Sequence, residues 1–159
     1  MQNNSNVSEQ AKRQATFLYQ RACQKDLLTA VRSFFNKETQ RLQHLEDHHA
    51  NSAVVSDHLT DVQSVPITRI KGSVSEGRTH DFDANFRPLK QHNKDRWLGL
   101  AAAKQRGVKV PPVGLVKVGE DYFVRDGHHR ISVARAMEQT EIRANVTVWH
   151  LPEPQALQQ

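Results

Sequence analysis

From about Gln10 to His48 the chain has no Gly or Pro, and apolar residues return at Ala11, Ala15, Leu18 and Ala22, then at Leu28, Val31, Phe35, Leu42 and Leu45. Steps of mainly three and four residues predict an amphipathic helix, or two in succession, over residues 10–48. Its apolar stripe has to be covered, by the rest of the chain or by a second copy, so a homodimer through this helix is one expectation. The polar face mixes both signs of charge, which argues against a dedicated membrane or nucleic-acid helix. Periodicity then stops in "EDHHANSAVVSDHLTD", and residues 49–64 read as a linker. Residues 1–9 and 151–159 are polar and aperiodic and read as disordered tails.

From Val65 the texture changes to short β-rich runs bounded by turn residues. "VPITRIKGS" predicts a first strand ending at Gly72, and "VSEGRTHDFDANFRP" a polar loop anchored by Phe82 and Phe86. "KQHNKDRWLGLAAAKQRG" predicts a helix with Trp97, Leu100, Ala101 and the stem of Lys104 inward, stopped by Gly107 in the left-handed conformation. "PPVGLVKVGEDYFVRDG" predicts a hairpin turning at Gly119-Glu120-Asp121. A short helix from His128 to Met137 follows, with Ile131 and Ala134 inward. "EIRANVTVW" predicts a last strand with Ile142, Ala144, Val146 and Val148 on one side. The expected fold class is α+β, a compact domain over residues 65–150 preceded by the amphipathic helical segment.

A length of 159 residues fits one such domain with an appendage. With 22 Lys and Arg against 17 Asp and Glu, the net charge of +5 favours anionic partners. The excess is concentrated: between Pro66 and Val110 ten Lys or Arg stand against four acids, a local balance of +6. That basic half could serve as a non-specific nucleic-acid footprint. Cys23 is the only cysteine, so no internal disulfide is expected. No apolar run approaches the ~18 residues of a membrane span, and no signal-peptide pattern opens the chain. A cytoplasmic protein with no membrane association is the expectation.

Two constellations carry chemistry. His44 and His48 stand four apart, a spacing that on a helix brings both imidazoles to one face, but no third ligand accompanies them. They read as surface histidines. The stronger feature is "YFVRDGHHRISVARAM", in which a strand turns at Asp126-Gly127 and His128, His129 and Arg130 open a helix. A helix start presents unpaired N–H groups and the positive end of the dipole, so cations there cost roughly 0.3–1 kcal/mol each. A bound anion would offset that cost, with Gly127 allowing close approach and the side chains adding charge-assisted donors. The alternative is structural: Asp126 caps the helix and pairs with Arg130.

The run "PPVGLVKVGEDYFVRDGHHRISVARAMEQTEIRANVTV" resembles the ParB N-terminal domain and sulfiredoxin-like superfamily, in hairpin, glycine turn, helix and closing strand. The resemblance spans about Val65 to Trp149 and implies a small mixed sheet with packed helices. Of the ParB turn pattern Gly-Glu-Arg-Arg-x-Arg the chain keeps Gly127 and Arg130. His128, His129 and Ser132 replace the glutamate and the first and last arginines. The sulfiredoxin turn Gly-Gly-Cys-His-Arg is similar in its closing His-Arg, but its reactive cysteine is His128 here, so sulfinic-acid reduction is not expected.

Carried over by position, the resemblance implies a phosphate or nucleotide site of Arg78, Asp126, Gly127, His129, Arg130 and Ser132. It implies Mg2+ with a nucleoside triphosphate of the CTP or ATP class, with Asp81 and Asp83 on the metal. For these two carboxylates a turn and a helix cap are the structural alternative. Three functions stay open. One is nucleotide binding, as a slow NTPase or ligand-gated switch. The second is a phosphotransferase or nuclease with His128 or His129 as acid–base. The third is a basic DNA-associated module with a vestigial turn. DNA-binding ParB proteins continue into a helix-turn-helix, and nine residues follow His150 here, so sequence-specific DNA reading is not expected.

Overall fold

The computed structural model describes residues 3–24, 42–46 and 56–150. Among these, seven short strands form one mixed sheet, β1 (Gln43–His44), β2 (Ser56–Leu59), β3 (Gln63–Pro66), β4 (Ile70–Ser73), β5 (Val113–Val118), β6 (Asp121–Asp126) and β7 (Glu141–His150). The helices are α1 (Asn3–Cys23), the single turn α2 (Glu76–Thr79), α3 (Lys94–Gln105) and α4 (His128–Ala136). The sheet runs β1-β4-β6-β5-β7-β2, with β3 also on β7. The fold is therefore α+β, as the sequence predicts. No helix among the described residues is long and apolar enough to cross a membrane.

Strand alternation splits the core into faces. Val113, Leu115, Tyr122, Val124, Ala144 and Val146 point to one side, where Ile131 of α4 and the loop aromatics Phe82 and Phe86 cover them. Val116, Val118 and Phe123 point to the other, against Leu45. Fully burying one such aliphatic side chain contributes about 1.5–3 kcal/mol. A third cluster lies among the helices, where Ala11 and Ala15 of α1 meet Trp97, Ala101 and Ala102 of α3 and Val133 of α4. Small residues on facing helices let Trp97 fill the space between them, and its Nε1–H donates to Ser132 Oγ on α4 at 2.8 Å. The part of the stripe carried by α1, Ala11, Ala15, Leu18 and Ala22, is thus covered within the chain, while Leu28, Val31 and Phe35 lie outside the described residues. An Arg21–Glu138 ion pair closes the far end of α1 against the segment after α4.

The predicted hairpin, both later helices and the last strand are observed. Gly107, Gly119 and Gly127 each have positive φ where a stop or turn was expected. Phe82 and Phe86 are fully buried, and Lys104 donates to Gln139 Oε1 at 2.6 Å.

Several boundaries need correction. Residues 1–9 are not wholly a tail, because α1 begins at Asn3, and no Gly or Pro stands there to stop a helix supported from Ala11 onward. Residues 10–48 are not helical throughout, since Gln43 and His44 form β1, paired in parallel with β4 at Gly72 and Ser73. A Cβ on Gly72 would sit 2.2 Å from the Gln43 carbonyl oxygen, so the missing side chain admits this neighbour. His44 is therefore on a strand, its Nε2 3.0 Å from the Val74 carbonyl oxygen, while His48 lies outside the described residues. Of the expected linker 49–64, residues 49–55 lie outside the described residues, and the rest contains β2 and the first two residues of β3, both strands antiparallel to β7. The expected strand over "VPITRIKGS" is two strands, since Pro66, which has no N–H, ends β3 before the turn Ile67–Arg69.

Candidate functional site

β4 and β6 are adjacent and parallel, so the chain leaves both carboxyl ends on the same side of the sheet. Loops at the carboxyl ends of parallel strands converge on ligand crevices. Here β4 delivers Ser75 and Arg78, β6 delivers Arg125 and the Asp126–Arg130 turn, and α3 contributes Arg96 and Leu100. With Pro111 and Pro112 ahead of β5, these line a cleft of about 700 Å³. Gly127 holds φ 101° and ψ 23°, a left-handed conformation open to glycine at little cost. A Cβ there would lie 2.7 Å from Val113 Cγ1. The helical ladder of α4 starts with the Ile131 N–H donating to the Gly127 carbonyl at 3.0 Å. The N–H groups of His128, His129 and Arg130 precede it.

The two histidines are buried in the wall of this cleft, at 6% and 7% exposure. His128 Nε2 lies 2.9 Å from Ser73 Oγ, which also accepts the Ser75 N–H at 2.9 Å. Phe82 stacks on His128 at 5.9 Å and meets His129 edge-on at 5.2 Å. His129 Nε2 is buried without a hydrogen-bond partner. Burial pushes the His128 pKa down to about 4, with Arg78 and His129 adding repulsion, against Asp126 and Asp81. Burial likewise pushes His129 down to about 4, with Arg96 and Arg78 next, against Asp81. Both imidazoles are therefore neutral at pH 7, so the three cations expected at this helix start reduce to one.

That one, Arg130, is tied inward. Its Nη1 donates to the carbonyls of Pro111 at 2.9 Å and Pro112 at 2.6 Å, and its Nη2 to Asp126 Oδ2 at 2.5 Å. The pairing half of the structural alternative is observed, whereas Asp126 makes no capping bond to the helix, whose N-cap is Gly127. Ser132 is buried as the acceptor of Trp97 and lies outside the cleft lining. Arg78 lines the cleft and donates to Asp81 Oδ2 at 3.1 Å, with His92 3.7 Å from the other oxygen of that carboxylate. Asp83 Oδ1 accepts the N–H groups of Asn85 and Arg87, both at 2.8 Å, the turn role of the structural alternative. Among the described residues no three His, Cys, Asp or Glu side chains are grouped as metal ligands.

Two guanidiniums enter that the motif did not mark. Arg96 projects from α3, and Arg125 precedes the turn, held by Thr147 Oγ1 at 3.3 Å and lying 5.7 Å over the Trp149 ring. Four arginines, Arg78, Arg96, Arg125 and Arg130, thus line the cleft with one carboxylate, Asp126. Arg125 was legible as an exposed strand residue next to the turn. Arg96 was not, because its approach depends on how α3 packs on α4. Compared with protein-family models, with curated proteins and with solved structures, the chain matches none.

Proposed function

We propose that this is a ParB-like domain whose cleft binds a phosphate-bearing ligand of the nucleotide class. The observation that carries the reading is four arginines from four separate elements around a helix start, with a single carboxylate among them. Unpaired helix-start N–H groups and guanidiniums are complementary to phosphate oxygens. Arg130, stapled to Pro111 and Pro112, acts as a scaffold for the turn, and Arg78, Arg96 and Arg125 supply the reach. Mg2+ enters this reading with a triphosphate, and Asp81 and Asp83 would have to leave Arg78 and the turn N–H groups to hold it.

The test is equilibrium titration with CTP, ATP and GTP, with and without Mg2+, of the wild type and of Arg78→Ala and Arg96→Ala. Saturable binding is expected to at least one nucleotide, weakened about tenfold or more in each variant, since a charge-assisted hydrogen bond contributes about 1.5–3 kcal/mol. Absence of binding, or equal binding by all three proteins, overturns the reading.

A further inference from the structure

We infer that His129 couples the cleft to protons, so that an oxyanion carrying two charges binds together with one proton taken up on the His129 imidazole. This rests on the phosphate reading above, and the two fail in different ways in the experiment below.

Three observations meet at this residue. His129 lines the cleft, is more than nine-tenths buried, and leaves Nε2 without a partner. An unpaired buried polar atom is rare in folded proteins and calls for a partner. Its place is the second residue of α4, beside N–H groups that precede the helical ladder. The third observation is a mismatch of charge. Arg78 is paired with Asp81 and Arg130 with Asp126. Arg96 and Arg125, in the same lining, make no salt bridge with a carboxylate among the described residues.

The charged and titratable groups around the ring come from every neighbouring element. They are Arg78 on α2, Asp81 in the following loop, His92 before α3, Arg96 on α3, and Asp126, His128 and Arg130 at the turn itself. Without an anion, burial and the facing guanidiniums hold the imidazole neutral, at about 4. A doubly charged oxyanion cancels the two guanidiniums that lack carboxylates and sets negative charge beside the His129 ring, which lines the cleft. Both changes favour the imidazolium, so linkage requires proton uptake on binding. A singly charged diester cancels half of that excess and draws a smaller proton response. Position 129 would therefore select terminal, dianionic groups more strongly as pH falls.

Inorganic sulfate is the probe, because its charge is fixed across the range. Its affinity for the full chain is measured by calorimetry at constant ionic strength from pH 7.5 to 5.5, in buffers of different ionisation heat that count protons. Wild type should bind more tightly on acidification, approaching about tenfold per pH unit. The slope should flatten in His129→Gln and persist in His128→Gln. Independently of any variant, the His129 ring resonances of the wild type at pH 6 should move from neutral to protonated on addition of sulfate. Sulfate binding without proton uptake overturns the inference and leaves the phosphate reading standing, as does a slope that vanishes only in His128→Gln. Failure of sulfate and of every nucleotide to bind overturns both.

Discussion

Acidifying the ligand-free protein from pH 7 to pH 5 should cost it about 4 kcal/mol of stability through two side chains. His128 and His129 stand at about 4 in the fold against an ordinary 6.5. Because the folded values are lowered, the unfolded chain binds these protons first, so stability is complete above the ordinary imidazole range and falls as pH drops from 6.5 toward 4. At about 1.4 kcal/mol per pH unit, full titration costs about 3 kcal/mol per ring, and at pH 5 about 2 kcal/mol per ring has been lost. At this chain length 4 kcal/mol corresponds to a Tm lower by roughly 10 °C. The assay is thermal and urea unfolding at pH 7, 6 and 5 in buffers free of phosphate and sulfate, on the wild type and on His128→Gln/His129→Gln. Carboxylates titrate in both proteins and cancel in the difference. If the two pH profiles run parallel to within about 1 kcal/mol, the burial argument is wrong and the rings are not held neutral by the fold.

Two further perturbations test the packing around the cleft. Gly127→Ala places a Cβ 2.7 Å from Val113 Cγ1 at a φ of 101° and should lower the urea-derived unfolding free energy by about 2–3 kcal/mol; a loss under 0.5 kcal/mol would mean the turn relaxes freely. Ala15→Leu, at a position 1% exposed against Trp97 and Val133, should destabilise the monomer by about 1–3 kcal/mol through overpacking. A changed sedimentation mass with unchanged stability would instead assign the α1 stripe to a second copy.

What the sequence disclosed follows from how local each signal is. The hairpin, α3 and the start of α4 were readable because Gly107, Gly119 and Gly127, each with positive φ, mark the end of α3, the hairpin turn and the entry to α4, and β7 because its apolar residues alternate; those signals act over a few residues. β1, β2 and the first half of β3 were not, since such two- to four-residue pieces carry no alternation of their own and are ordered by pairing with β4 and β7. The turn at Gly127 was found as a motif, but its electrostatics were misread. Charge state depends on burial, and nothing local says that Phe82, more than forty residues upstream, will cover both rings. Of Arg130's partners, Asp126 four residues away was legible, but the other two are 18 and 19 residues away, on proline carbonyls that no pattern marks as acceptors.

The β2–β3 edge has a consequence for how copies of this chain meet in concentrated solution. Leu59, 72% exposed, ends β2, and Val62, 44% exposed, lies in the connection to β3; among the described residues neither strand has a neighbour other than β7. Such an apolar edge is a template for adding a strand from another molecule. Yet Leu59 pairs with Thr147 and Gln63 with Ala144, so three residues face two and the ladder is broken by a bulge containing Asp61. Pro66 then removes a donor at the far end. What remains is two four-residue pieces set out of register, too short and too bent to nucleate an intermolecular sheet.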